Sequence, residues 1–383
     1  MMTETLLVRG GRLLAPADGY QGLQADILIR KGRIVRIDKR IKMPRANVLS
    51  LSGEFVSPGF IDAHGHFDPD NPLGIGLHHD LAGVGNGNST VIDAGSTGAS
   101  NFPNFRRRWM GRGQTRLFAL LNLAKNGIDT WEEASHVSNF DFAMLKEVAA
   151  GNREQIVGLK IRCDREAVGD LGIWPYQEAQ KMARTLSLPL VVHIGEAGPE
   201  IEEILLQAEK GDILTHCYNS YHPNGIWNSL TDESLQIRPK TWEARRRGVL
   251  FDVGHGGCSF SFAVGQAMME QGFYPDIIST DIYTWNYLQP VRGLWNVMTK
   301  MLMLGLPLER CVSAVTSTPA DTFSLNGLGH LQEGNWGDLT IFQLEDAPIE
   351  LTDSCGEKRL CNCWIHPKYA VVAGNIYRSC ISC

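Results

Sequence analysis

From Phe55 to Tyr283 the chain repeats one rhythm: a near-continuous apolar run, a polar residue or glycine that closes it, and then, after most runs, a stretch with apolar positions at helical spacing. The runs are FVSPGFIDAHGH, STVIDAGS, TRLFALLNLA, QIVGLKIR, LPLVVHIG, DILTHCYN, GVLFDVGH and DIISTDIY. Runs that are apolar on both faces suit parallel strands covered from both sides. Eight of them alternating with helices predict an α/β fold closed into a (β/α)8 TIM barrel rather than an open sheet. PYQEAQKMARTLS, PEIEEILLQAEK and TWEARRRG are among the predicted helices. The two ends of the chain read differently. TLLVRGGRLL, ADILIRKGRIVRID, ANVLSLSGEFVSPG, GDLTIFQLE and YAVVAGNIYRS are short strand patterns, some strictly alternating, separated by turn glycines. Each end is too short to fold alone, so the two are expected to pair into one small β-sandwich domain, residues 1–57 with 330–383, beside a barrel over 58–329.

Reactive side chains of such barrels sit at the C-terminal ends of strands. That end of the first run carries His64-Gly65-His66, whose two imidazoles point the same way because alternate strand residues share a face. Later runs carry Lys160, His193, His216 and Asp281 in corresponding places. One HxH pair is weak, since a single histidine is more often a satisfied core or surface residue. Four of the chain's eleven histidines gathered with an aspartate at one end of a predicted barrel point to a metal site. Lys160 as an ammonium would repel a cation, but carboxylation by carbon dioxide would make it an anionic carbamate able to bridge two ions; the bland alternative is a lysine salt-bridged in the barrel mouth. His78, His79, His136, His222, His330 and His366 fall in loops or the minor domain and are given no role. Arg162, on the strand face of Lys160, is either an anchor for a substrate carboxylate or a structural ion pair. His255 is a candidate for substrate or oxyanion contact, or a loop brace. Ser96, Tyr218, Asn219, Tyr283 and Trp285 are pocket candidates by their strand-end positions, with packing as the alternative.

Bulk properties narrow the classes further. The net charge of -6, with no long basic run, favours neither nucleic acid nor an anionic membrane surface as partner. The start MMTETLLVRGGRLL lacks the parts of a signal peptide, and no apolar stretch reaches the ~20 residues of a membrane span, so a cytoplasmic protein is expected. Homo-oligomerisation is left open. Nine cysteines, an odd number, do not read as a disulfide framework; Cys355, Cys361, Cys363, Cys380 and Cys383 crowd the tail either as reduced thiols or as a zinc clip.

On these residues the chain resembles the amidohydrolase superfamily. VSPGFIDAHGHF, GLKIR, VVHIG, LTHCYN, STDIY and GDLTIF occur in the superfamily's order over nearly the whole length. The resemblance is to the dihydroorotase- and hydantoinase-related branch. DAGSTGAS, FALLNLAKNGI, LKIRCDREAVGD and STDIYTW are most similar to its amidohydrolase/deacetylase group, which acts on acetylated amino acids or acetylated hydroxy acids. The resemblance implies two zinc ions, with manganese, iron or cobalt as other divalent options. It implies that His64, His66 and Asp281 hold one and His193 and His216 the other, with N6-carboxylated Lys160 and a hydroxide bridging them. Asp281 would relay the proton from that hydroxide to the leaving group. The expected reaction is cleavage of an amide or ester in a small N-acetyl or O-acetyl carboxylate. A cyclic amidase of hydantoinase or dihydroorotase type is the alternative, and a non-catalytic assembly protein on the same fold a third reading that would call for missing ligands. Dihydroorotases carry an arginine two residues after the HxH; here Phe67 and Asp68 follow His66, which turns the expectation away from dihydroorotate.

Overall fold

A computed structural model describes residues 5–220 and 228–381. His222 and Cys383 lie outside the described residues. The chain begins with β1 (Thr5–Ala15), β2 (Tyr20–Arg30), β3 (Arg33–Asp38), β4 (Asn47–Ser50) and β5 (Phe55–Pro58). A run of parallel strands follows: β6 (Phe60–Gly65), β7 (Asn88–Gly98), β8 (Arg116–Asn122), β9 (Ile156–Cys163), β10 (Leu190–Ile194), β11 (Asp212–Thr215) and β12 (Leu250–Asp252). The chain closes with β13 (Leu339–Glu345), β14 (Ile349–Thr352), β15 (Lys358–Cys361), β16 (Trp364–Val372) and β17 (Asn375–Arg378).

β6 to β12 form one sheet in which sequence neighbours are spatial neighbours. β7 and β9 are buried at every position, as expected of strands covered on both faces. The helices Trp174–Leu186, Ile201–Gln207 and Pro239–Arg247 fall on the three predicted helical stretches. Seven of the eight apolar runs are strands; the last, DIISTDIY, is not. It makes single parallel bridges, Asp252 to Ile277 and Gly65 to Ile282, so it touches both edges of the sheet without a ladder. Its backbone is engaged elsewhere: Thr280 N–H donates to the Asp62 carboxylate and Ile278 N–H to the Ala314 carbonyl. Asp281 stands in the left-handed region at φ 47°, which no extended strand accommodates.

Strands from the two chain ends join in one continuous eight-stranded sheet, ordered β17-β16-β13-β5-β1-β2-β3 with β4 on β1, rather than in two separate sheets. The reason lies in β1. Its first part, Leu6–Arg9, pairs with β4, and Arg12 and Leu13 pair with β5. Gly10, at φ 75°, marks the irregularity between them. Gly11 then passes so near β5 that an added Cβ would lie 2.4 Å from a Val56 methyl. Leu6, Val8, Leu13, Ile27, Ile29, Val56, Leu339, Ile341 and Val371 make the core of this sheet. It meets the parallel sheet where β5 runs into β6. There Gly59 N–H donates to the Asp338 carbonyl (2.8 Å) and Phe60 N–H to Thr340 Oγ1 (2.9 Å). Trp295, on the helix Leu294–Met303, and Trp364, at the start of β16, are both buried and pack 5.3 Å apart. No helix among the described residues is long and apolar enough to cross a membrane.

Candidate metal centre

Strand register lines up the candidate residues. Arg162 on β9 pairs with His193 on β10, His193 with Thr215 on β11, and Thr215 with Asp252 on β12. One step back along β9, Lys160 lies between Asn122 and Val191. His64 is the last residue but one of β6, and His66 and His216 each follow the end of their strand. His216 and Asp281 take positive φ, 74° and 47°, although neither is glycine. Backbone strain of this kind persists where surrounding structure holds a side chain in a set place. Thr280 Oγ1–H on Asp62 and Asn286 Nδ2–H on the Asp281 carbonyl do so for Asp281.

These side chains converge. Asp281 Oδ1 stands 3.4 Å from His64 Nε2 and 3.2 Å from His66 Nε2. Lys160 Nζ is 3.1 Å from His64 Nε2, and His216 Nε2 is 2.8 Å from His193 Nδ1. Each imidazole spends its other nitrogen outward. His64 Nδ1 faces Thr215 Oγ1 (3.0 Å), whose hydroxyl donates to Asp252 (2.7 Å), so the threonine oxygen accepts from the imidazole. His66 Nδ1 meets Ser96 Oγ (2.9 Å), and Ser96 N–H donates to Asp93. His216 Nδ1–H donates to the Gly254 carbonyl (2.6 Å), and His193 Nε2–H to Asp164 (3.2 Å). Such outer partners fix the tautomer and aim a lone pair inward.

The charge states agree with that aim. Burial pushes His64 and His216 well below the ordinary imidazole range and lowers His193, so all three are neutral donors at neutral pH. Burial alone would raise the Asp281 carboxyl, but His64, His66 and His216 outweigh it and hold the group well below the usual carboxylate range. Burial also brings Lys160 down to about 8. For Asp164 burial again opposes ionisation, and the Arg162 guanidinium and His193 overcome it.

The donor set fits a divalent cation. His193 Nδ1 and His216 Nε2 both carry lone pairs by virtue of their outer partners, yet they face each other at 2.8 Å, a repulsion that a cation between them removes. His64, His66 and Asp281 offer ligand atoms within 4.8 Å of one another, and among the described residues no other trio of histidine, cysteine or carboxylate side chains does so. Imidazole nitrogens with carboxylate oxygen suit zinc and its neighbours.

The centre opens into a cavity of about 210 Å3. His64, His66, Lys160, His193 and Asp281 line it, with Trp131, Arg162, Glu166, Glu196, Cys258 and Tyr283 around them. Of the residues expected there, Arg162 and Tyr283 are present. Five others are not among the lining residues. Tyr218 is buried with its hydroxyl on the Phe273 carbonyl, and Asn219 donates to the Ile194 carbonyl. His255 stacks on Phe260 and takes a bond from buried Lys300 (2.8 Å), so it braces the loop after β12. Ser96 acts through His66. Trp285 is exposed at the rim, 6.1 Å from both Trp131 and Tyr283. Asp164, Thr215 and Asp252 were missed by sequence reasoning. A signal for Asp164 was present, because residues 160, 162 and 164 share a strand face; Asp252 also lies on a recognised apolar run, but its partner is set by register.

Comparison with known proteins identifies relatives of the chain. A family model described as a deacetylase-like composite domain matches residues 331–378. A deacetylase of Enterococcus faecalis is 35% identical over 98% of this chain and 100% of its own length. Among solved structures, one titled an adenine deaminase superposes with a TM-score of 0.91 at 34% identity, covering 98% of this chain and 99% of that one. Another, titled a dihydroorotase, has a TM-score of 0.89 at 32% identity over 98% and 99% of the two chains. The chain belongs to the amidohydrolase superfamily, in its deacetylase-related branch. It is a metal-dependent hydrolase of that class.

Proposed function

We propose that this enzyme removes an acetyl-type acyl group from a small N- or O-acylated carboxylate at a pair of divalent ions, with zinc the best match to the donors. The observation that carries the reading is the inward convergence of four histidine lone pairs on Lys160 and Asp281. His64, His66 and Asp281 would hold one ion and His193 and His216 the other. Lys160, as its carbamate, would hold both. An amine must be neutral to add carbon dioxide, and a lysine near 8 supplies that form at physiological pH far more readily than an ordinary one. When bound, the ions lower the pKa of a shared water and polarise the scissile carbonyl. Asp281, ionised and 3.4 and 3.2 Å from His64 and His66, would take up the water's proton and return it to the leaving nitrogen or oxygen. The seven strands and the 277–282 segment are read as one closed (β/α)8 barrel, and residues 1–57 with 330–383 as the small domain beside it.

Parallel assays test the substrate: N-acetyl-D- and L-amino acids and O-acetyl hydroxy acids in one arm, hydantoins, dihydroorotate and adenine in the other. The acyl compounds should be hydrolysed fastest. Turnover of only the ring compounds would replace this reading with the cyclic-amidase or deaminase one, towards which the two solved relatives point by title.

The outer partners supply a second test. Asp252 accepts from both Thr215 and Ser279, each at 2.7 Å, and so anchors His64. Asp252→Asn should weaken zinc binding by about 10–100-fold, the usual scale for such partners. Competition with a chromophoric chelator measures this without turnover, and unchanged affinity would detach Asp252 from the centre.

A further inference from the structure

Arg162 is the only arginine among the described residues lining the cavity, and its N–H groups are already spent. Nε and Nη2 hold Asp164 at 3.2 and 3.3 Å; Nη1 reaches Glu133 and the Trp131 carbonyl, each at 3.2 Å. Nη2 also reaches Glu166 at 3.4 Å, the longest of these contacts. The three carboxylates are not equivalent. Glu133 and Asp164 have side chains 1% and 4% exposed, whereas that of Glu166 is 52% exposed. Asp164 is fixed twice more, by His193 and by Ala167 N–H. Among the described residues Glu166 has no partner but Arg162, and it lines the cavity that leads to the metal centre.

We propose that Glu166 occupies, in the free enzyme, the subsite for the substrate's own carboxylate, and that a carboxylate-bearing substrate displaces it from Arg162 Nη2. This rests on the reading of the cavity as an acylated-carboxylate site. Exchange of one carboxylate for another keeps the charge-assisted bond to the guanidinium. It releases Glu166 into water at little cost, because a half-exposed ion pair contributes little. Glu133, Asp164 and the Trp131 carbonyl keep the guanidinium plane fixed while its outer edge changes partner. An uncharged acyl compound offers only neutral carbonyl oxygens, which replace the charged Glu166 less well than a carboxylate does.

The experiment compares N-acetyl-alanine with N-acetyl-alaninamide, both enantiomers, on the zinc-loaded wild type and Glu166→Gln. With the competing charge removed, the KM of the acid relative to that of the amide should fall about three- to tenfold. Glu166→Asp should move back towards the wild-type ratio. An unchanged or rising ratio would overturn the proposal. Calorimetric titration with N-acetyl-alanine separates this from the reaction itself. Tighter binding to Glu166→Gln by a protein that does not hydrolyse the compound would keep the subsite and reject the acyl-hydrolase reading. Equal affinity in the two proteins would remove the subsite whatever the reaction is.

Discussion

Asp281→Asn should retain its zinc while turnover falls by roughly two to four orders of magnitude, the scale of a lost acid–base group. The substitution is nearly isosteric, and asparagine tolerates the left-handed backbone of this position better than most residues. It keeps an oxygen facing His64 and His66, so the donor set is weakened but not dismantled. What it loses is the capacity to accept a proton. The native carboxyl lies well below the usual carboxylate range and is ionised at neutral pH, so it is able to accept a proton. Metal analysis beside kcat on the best acyl substrate checks both halves. Retained zinc with a near-normal rate would remove Asp281 from the proton relay.

Lys160→Ala should cost more than about a hundredfold in activity, beyond the loss typical of a residue that only supports a ligand. Short carboxylates such as acetate or propionate should restore part of it by entering the vacated space. The space is well defined. Lys160 is fully buried, and Gly95 passes so near that an added Cβ would stand 2.7 Å from Lys160 Cγ. In the metal-free protein thermal stability should hardly fall, because the substitution also removes an amine whose charged form burial disfavours. A folded, fully active variant indifferent to added carboxylates would show that Lys160 is no ligand. Loss of folding together with activity would favour the salt-bridge alternative.

Much of this arrangement was legible in the chain. Apolar runs locate seven strands because parallel strands bury both faces, and a run ending in histidine, lysine or aspartate marks the functional end of the sheet. Where periodicity failed, side chains had replaced the ladder. DIISTDIY has a strand's composition, but Asp62 and the Ala314 carbonyl take the N–H groups that a neighbouring strand would have taken. Proximity to a strand end also misled for Tyr218, Asn219 and His255, because which way a side chain turns there depends on loops with no periodic signal. The outer partners were illegible for a related reason. Thr215 and Asp252 meet only through the register of β11 on β12, which apolar patterning does not specify. Arg162 shows the limit from the other side: its strand face was readable, whereas the number of carboxylates around it was not.

The junction of β5 with β6 also bears on the order in which the molecule is made. Gly59 and Phe60, immediately before the strand that carries His64, are tied to Asp338 and Thr340, and β5 pairs with β13. A ribosome delivers those partners almost three hundred residues later. During synthesis the first histidine pair therefore lies on a segment without these partners until Asp338 and Thr340 have emerged. The contacts that fix the start of the strand carrying His64 and His66 are thus among the last that synthesis makes available.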